Sequence, residues 1–532
     1  MGRQIRIHGY MDSGYEGQSI LIECSIRNGF PGFDIVGLPG NSVKEARERV
    51  RCALRSCNFK FPQSRILVNL SPASTPKNST LLDLPLACSI LYRQSRQPTH
   101  AGKTDMEDID QFLLTPEESP CNSPVDIMVV GELSLDGHVV EAPQAMGAIE
   151  AARRIGCKAC ILPFRPMSNG LDDGMLLIQA VSLPQAFASC MDISKGNIRL
   201  PQGESVEDRG RVIFQDIIGM EKEKDILAMA ASGFHSTLLF GPPGVGKTML
   251  SCRVHMLLPE LTKAQRSEVS RILGCANIHD SSSIRPERMR ILSHDCTQTQ
   301  FVSGKSPKSP GEGALSHLCT LVLDEVNKYS PKLLETVKDS YDKGYTQSSR
   351  SGEVIAYPSR FLMVGNLNPC PCGGLGDPQA ICTCTAQKIT NHWNRVGRQL
   401  VERFDIRIPV SGSNGMLSEI SSPNRDDAHY TDNVRLSTAR QNARYRDIEG
   451  VDLNGQVHFS TAALLTLRKE IELFNRISNG RNQSSRSQIG CITLARTIAD
   501  YEDRPDVTEE DFAKAMELRR YGIGDYYWRS LR

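Results

Sequence analysis

The sequence predicts a multidomain α/β protein. Three observations carry this. The run Gly241-Pro-Pro-Gly-Val-Gly-Lys247-Thr248 follows an apolar strand, Ser236–Phe240, and opens a helix. A second apolar strand, Thr320-Leu-Val-Leu, ends on the carboxylates Asp324 and Glu325. The chain has 532 residues, too many for one compact core and enough for about three or four domains.

The first unit spans residues 1–193. Arg3–Tyr10, Ser19–Ile26, Phe33–Val36 and Arg65–Leu70 read as strands bounded by Gly, Pro and Asn. Val43–Ser56 reads as a helix with Val43, Ala46, Val50, Ala53 and Leu54 on one face. Residues 97–124 are rich in Pro, Thr, Ser and acids, and are expected to form a mobile insertion. Val125–Leu133, a turn at Asp136-Gly137, a helix over about 144–155, and strands at Ala159–Leu162 and Met175–Val181 complete the unit. A polar linker, 194–212, leads to a second unit, 213–411. Another linker, 412–433, leads to a third, 434–525, that reads as helices over about 434–446, 459–476, 484–502 and 508–520.

Composition narrows the class. Hydrophobic residues make up 39% and charged residues 23%, ordinary for a globular protein and unlike a disordered or fibrous one. Lys and Arg number 62 against 61 Asp and Glu, so any nucleic-acid site must be a local patch. No apolar run precedes a small-residue cleavage site, and none approaches the roughly 18 residues of a membrane span. A cytoplasmic protein with no membrane partner is expected. Most of the 17 cysteines are scattered singly and read as small buried hydrophobes.

The loop 241–248 fits G-x-x-x-x-G-K-[ST] without a mismatch. Its glycines let backbone N–H groups curl around phosphate oxygens, and the helix N-terminus adds a favourable dipole. Gly241, Pro242, Pro243, Gly244, Val245, Gly246, Lys247, Thr248 and Met249 form the expected ATP-binding set. Lys247 would reach the β- and γ-phosphates, and Thr248 would ligate Mg²⁺. Asp324 would hold Mg²⁺ through water, and Glu325 would orient or deprotonate the attacking water. A third strand, Arg360–Gly365, leads to Asn368, which can sense the γ-phosphate or simply serve as a turn residue before Pro369.

These motifs resemble a known family. Leu238–Leu250 and Leu321–Glu325, with Asn368-Pro-Cys-Pro-Cys-Gly and Arg403-Phe-Asp-Ile, are similar to magnesium-chelatase-type AAA+ ATPases. Gly29-Phe-Pro-Gly-Phe-Asp-Ile-Val-Gly-Leu-Pro, Arg47-Glu-Arg-Val-Arg51, Val68-Asn-Leu-Ser-Pro-Ala, Asp83-Leu-Pro, Gly131-Glu-Leu-Ser-Leu-Asp-Gly and Ala495-Arg-Thr-Ile-Ala-Asp500 resemble the YifB/ComM branch. The resemblance implies a Lon-protease-like (ribosomal S5 domain 2-type) α+β N-terminal domain, a central AAA+ P-loop domain and a C-terminal helical lid. It implies a hexameric ATPase acting on single-stranded or branched DNA, a helicase or branch-migration factor in DNA uptake or recombination. Metal insertion into a tetrapyrrole and an ATP-switched scaffold are the alternatives.

The resemblance also assigns roles. Arg403 resembles the arginine that reaches a neighbouring subunit's γ-phosphate, and Arg486 the sensor arginine of the lid, with Arg496 as a competing candidate. The other reading of each is a surface ion pair, for Arg403 with Glu402 or Asp405. Three stretches depart from the family: Phe301-Val-Ser-Gly-Lys-Ser-Pro, Ser293-His-Asp-Cys-Thr, and Val326-Asn-Lys-Tyr after Glu325. Asp83 stands near where the active Lon-type serine would sit, with Lys77 and Ser79 nearby in sequence, so no peptidase activity is expected.

Two weaker signals remain. Cys370-Pro-Cys372 and Cys382-Thr-Cys384 supply four thiolates for a structural Zn²⁺, or else a redox-sensitive or unliganded cluster. Residues 44–65 hold Lys44, Arg47, Arg49, Arg51, Arg55, Lys60 and Arg65 against Glu45 and Glu48. That segment either tracks phosphates or is a solvated helix face with internal ion pairs.

Overall fold

The computed structural model describes residues 4–12, 17–96, 124–140, 142–163, 171–172, 174–196, 213–276, 278, 288–304, 309–350, 353–377, 380–410, 426–448, 450–477 and 484–522. The insertion expected at 97–124, most of both linkers, Lys305 to Lys308 and the end of the last unit lie outside them. Two compact units form: 1–207 with 270–284, and 208–269 with 285–532.

The first unit is built on an eight-stranded mixed sheet. Its order is Gly32–Val36, Arg65–Ser71, Gln18–Arg27, Ile5–Met11, Val125–Val129, Ala159–Leu162, Met175–Gln179, Leu171–Asp172. Ile5–Met11 pairs antiparallel with Gln18–Arg27, which pairs antiparallel with Arg65–Ser71. The helix Asn41–Ser56 connects two parallel neighbours, Gly32–Val36 and Arg65–Ser71, and buries Val43, Ala46, Val50, Ala53 and Leu54.

Two helices of this unit escape the sequence pattern. Asp83–Ser95 is buried on nearly every side, from Asp83 through Tyr92. A helix with no polar face shows no 3.6-residue alternation to detect. Leu183–Lys195 begins Leu-Pro, which reads as a turn although proline is well tolerated in a first helical turn. Gly196, at φ +78°, ends it.

The second unit centres on a five-stranded parallel sheet. Its order is Met289–Ile291, Thr320–Leu323, Leu362–Leu367, Thr237–Phe240, Ile406–Pro409. The phosphate-loop strand, Thr237–Phe240, is therefore parallel to and flanked by Leu362–Leu367 and Ile406–Pro409. Side chains alternate between two cores. Leu238, Phe240, Leu321, Leu323, Met363 and Leu367 pack on one face with Trp393 and Phe404. Leu239, Leu362, Val364, Ile406 and Ile408 pack on the other with Tyr430, Val434, Leu494, Ile498 and Phe512. Burial on both faces explains why these strands read as continuous apolar runs. The C-terminal helices Asp427–Arg444, Ser485–Tyr501 and Glu509–Arg519 thus share a hydrophobic core with the sheet. Asp427–Arg444 begins inside the stretch expected to be linker. No described helix is long and apolar enough to cross a membrane.

Candidate nucleotide site

The strand Thr237–Phe240 runs straight into the loop 241–246, and the helix Lys247–Ser251 follows. Gly244 and Gly246 take φ of +82° and +90°. Glycine adopts such angles without strain, and they turn successive N–H groups toward one anion. Gly241 is required by a close approach, since a Cβ there would lie 2.0 Å from the Val410 carbonyl oxygen.

Lys247 is only 8% exposed. Its Nζ donates to the carbonyl oxygens of Gly241 (2.8 Å) and Pro242 (2.7 Å) and to Asn368 Oδ1 (3.1 Å). Burial lowers its pKa, and the nearby charges of Asp324 and Glu325 oppose that shift. A buried ammonium held only by neutral acceptors is poised to gain from phosphate oxygens.

Asp324 receives hydrogen bonds on Oδ1 from Thr248 Oγ1 (3.2 Å) and Asn366 Nδ2 (2.9 Å). Asn366 also reaches Ser251 Oγ at 3.1 Å. His294, in one of the departing stretches, bonds the Asp324 carbonyl oxygen at 2.8 Å. The adjacent hydroxyl and carboxylate are hard oxygen donors beside the phosphate loop, a donor set that fits Mg²⁺. Glu325 takes φ +47°, uncommon for a residue with a side chain. Its carboxylate is bonded by Lys328, another departing residue.

The Asn368-Pro369 corner is held from behind. His392 Nε2 donates to the Asn368 carbonyl at 2.8 Å, and Trp393 Nε1 to the Pro369 carbonyl at 3.0 Å. Both side chains come from the helix Ala386–Val396.

Arg403 and Arg486 form a separate group around Asp342. Arg403 Nη2 lies 2.6 Å from Oδ2, and its Nε lies 3.1 Å from both oxygens. Arg486 Nη1 is 2.8 Å from Oδ1, and its guanidinium sits 5.7 Å from the Tyr341 ring centroid. Among the described residues, no hydrogen bond or ion pair joins either arginine to Lys247, Asp324 or Glu325. Neither of the partners expected for a surface pair binds Arg403. Glu402 is taken by Arg398 at 3.2 Å, and Asp405 by Arg519 at 2.7 Å and His235 at 3.1 Å. Arg496 is buried at 2% exposure. It pairs with Asp500 (3.0 Å) and Glu470 (3.3 Å) and donates to the carbonyls of Arg504 and Pro505 (both 2.8 Å). It is an internal strut, whereas Arg486 is partly exposed.

The four clustered thiols converge. Cys370 Sγ lies 3.4 Å from Cys372 Sγ and 3.7 Å from Cys382 Sγ, and all four sulfurs lie within 4.8 Å of one another. Zn–S bonds of about 2.3 Å in a tetrahedron place sulfurs about 3.8 Å apart, so the set fits that ion. Burial pushes the Cys370 thiol up to about 12, while the Gly374 N–H holds Cys372 down at about 6.

In the first unit three of the seven basic residues of the 44–65 segment are paired. Arg49 makes a two-pronged pair with Asp83 at 2.7 and 3.0 Å, Arg51 binds Glu48 at 3.1 Å, and Arg65 binds Asp34 at 3.3 Å. Lys44, Arg55 and Lys60 stay exposed and Arg47 half-buried. Asp83 is buried and committed to Arg49. Lys77 bonds the Pro72 carbonyl and burial lowers its pKa, whereas Ser79 Oγ accepts the Leu81 N–H at 3.3 Å.

Sequence reasoning missed Asn366, Asp342, His294, His392 and Trp393. Asn366 carried one usable signal: a polar residue ending an apolar strand. The others act through partners from 24 to 144 positions away, beyond any local motif.

Similarity to known proteins extends along most of the chain. Residues 213–416 match the family model for magnesium chelatase subunit ChlI, 22–108 a model for subunit ChlI of Mg-chelatase, and 425–519 the ChlI C-terminal model. The chain is 28% identical to the uncharacterized protein YifB of Escherichia coli strain K12, covering 96% of each chain. It is 28% identical to competence protein ComM of Haemophilus influenzae, covering 96% of this chain and 97% of that one. The magnesium-chelatase subunit ChlI homolog of Methanocaldococcus jannaschii is 25% identical over 57% of this chain and 83% of its own. The chain belongs to the YifB/ComM family of magnesium-chelatase-like AAA+ proteins.

Proposed function

We propose that this protein is an ATPase motor that works on DNA as a ring. The observation that carries the ATPase reading is the convergence of Lys247 on Asn368 and of Thr248 on Asp324, from the ends of three successive strands of the parallel sheet. Gly241 to Met249 bind ATP, with Lys247 exchanging its carbonyl partners for phosphate oxygens. Thr248 and Asp324 hold Mg²⁺, which offsets phosphate charge. Glu325 orients the attacking water, and Asn368 reports the γ-phosphate to Lys247 and to the helix Ala386–Val396.

Arg403 and Arg486 make no bond to their own chain's Lys247, Asp324 or Glu325. In this reading they serve the ATP of a neighbouring subunit, most naturally in a hexamer. Residues 1–193 form a Lon-like S5-type domain without peptidase activity, 213–411 the AAA+ motor, and 434–525 its helical lid. A structural Zn²⁺ occupies the four-cysteine cluster, and the protein is cytoplasmic.

The DNA reading is supported by a full-length relative whose name ties it to competence. The exposed Lys44, Arg55 and Lys60 with Arg47 offer phosphate contacts that carry no base information. The relatives named as magnesium-chelatase subunits favour a second reading, a motor for metal insertion into a tetrapyrrole. ATP turnover measured with single-stranded, duplex and branched DNA, and with porphyrin, separates them. Stimulation by branched or single-stranded DNA supports the motor on DNA. A rate indifferent to every DNA contradicts it.

A further inference from the structure

The four cysteines are tied to the nucleotide site at two places. Gly373, between Cys372 and Gly374, takes φ +78°, and a Cβ on it would lie 2.8 Å from Pro243 Cδ. The cysteine loop thus packs directly on the phosphate loop. Asn368, which holds Lys247, stands two residues before Cys370.

The chain then closes on itself. Thr385 directly follows Cys384 and caps the helix Ala386–Val396 by accepting the Lys388 N–H at 3.3 Å. That helix returns His392 and Trp393 to the carbonyls of Asn368 and Pro369. The Asn368 corner, four thiols and helix make one loop, closed on one side by the stretch from Cys370 to Cys384. Between them Ile381 is 92% exposed, and Cys372 is exposed as well. Linking the sulfurs is what would make that side rigid.

We propose that a Zn²⁺ held by Cys370, Cys372, Cys382 and Cys384 is a brace that fixes the phosphate loop at Pro243 and the sensor at Asn368, so that metal occupancy governs ATP turnover. The inference rests on the ATPase reading and on the zinc assignment above, and gives the cluster a positioning role in hydrolysis. A reacting group displaced by about 1 Å loses on the order of 100-fold in rate, so a loosened corner suffices to slow hydrolysis.

The test uses the full chain and three variants, with metal content by elemental analysis, affinity for a fluorescent ATP analogue, turnover, and a thermal melt. The parent should carry about one Zn²⁺ per chain. Cys384→Ser should lose the metal and at least about 10-fold in kcat. Cys384→His, which keeps a zinc ligand, should retain both. Gly373→Ala should keep the metal while kcat falls, because its Cβ presses on Pro243; the positive φ at this position adds backbone strain, so a small drop in the melt is expected with the zinc retained. This last variant carries the test if Cys384→Ser does not fold.

A metal-free parent with full turnover overturns the brace. So does loss of zinc with unchanged kcat and nucleotide affinity, or normal kcat in Gly373→Ala. If the parent binds nucleotide but hydrolyses none, the ATPase reading fails by itself. The brace is then judged on the analogue affinity of Cys384→Ser and Gly373→Ala, which should be weaker than the parent's.

Discussion

Arg403 and Arg486, 83 positions apart in the chain, are held on one carboxylate: Asp342 accepts from Arg403 Nη2 at 2.6 Å and lies 2.8 Å from Arg486 Nη1. Asp342 is near the end of the helix Pro331–Lys343, just beyond the strand that carries Asp324. One carboxylate therefore gathers a cation from the parallel-sheet region and one from the C-terminal helices.

If that pair of cations acts on a transition state, its members are not independent. Arg403→Ala should reduce turnover by on the order of 10³–10⁵, as for an arginine finger in phosphoryl transfer. Arg486→Ala should be similarly impaired, and the double variant scarcely worse than Arg403→Ala. Asp342→Asn, which releases both guanidinium groups, should lose turnover with nucleotide affinity kept. Steady-state kinetics on the four variants checks this. Additive losses would separate the two arginines.

The two lid arginines should differ in stability. Arg496 is buried and pairs with Glu470 and with Asp500, which Arg444 also holds, so Arg496→Ala leaves Glu470 and two backbone carbonyls without their donor and should cost about 3 kcal/mol. Arg486 is partly exposed, and Arg486→Ala should cost no more than about 1 kcal/mol. Urea unfolding of both distinguishes the buried strut from the partly exposed residue. Equal losses would contradict the division.

Much of the nucleotide site is legible in the sequence because it lies in short contiguous runs. Gly241–Thr248, Asp324-Glu325 and Asn368 each carry their own backbone requirement, and the strands beneath them are apolar on both faces. What stays hidden is pairing at a distance. The excess of positive charge at 44–65 shrinks once Asp83 and Asp34 are seen to take Arg49 and Arg65. Asp342 has no motif at all, and the helix Asp83–Ser95 has no polar face to betray it.

The charge pairing redirects the DNA prediction. Arg47→Glu with Arg55→Glu should weaken DNA binding equally across sequences, and should reduce the slope of log affinity against log salt by about 2 if both residues meet phosphates. Arg49→Ala should instead destabilise the first unit, because it leaves the buried Asp83 unpaired. Salt-dependent binding isotherms and unfolding curves read the two effects. Unchanged affinity in the double reversal would move the DNA surface elsewhere.

Acid should loosen the second unit through His458. Burial holds this imidazole down at about 4, with the Arg486 charge adding to the effect. The folded state then binds fewer protons than the unfolded one between about pH 6.5 and 4. Stability from this residue is complete above pH 6.5 and is lost as pH falls toward 4. His458→Gln should flatten the slope of unfolding free energy over that window. The parental slope retained in His458→Gln would assign the acid sensitivity to other groups.

Mixing two inactive chains tests most directly whether one ATP site is built from two subunits. Lys247→Ala removes the phosphate-loop cation, and Arg403→Ala removes the cation offered to a neighbour. Each alone should hydrolyse ATP poorly. Mixed in equal amounts, they should regain part of the parental turnover, because an intact Lys247 loop then meets an intact Arg403 from the next chain. A mixture no more active than its components, or an Arg403→Ala chain that turns over at the parental rate, would contradict a site built from two subunits.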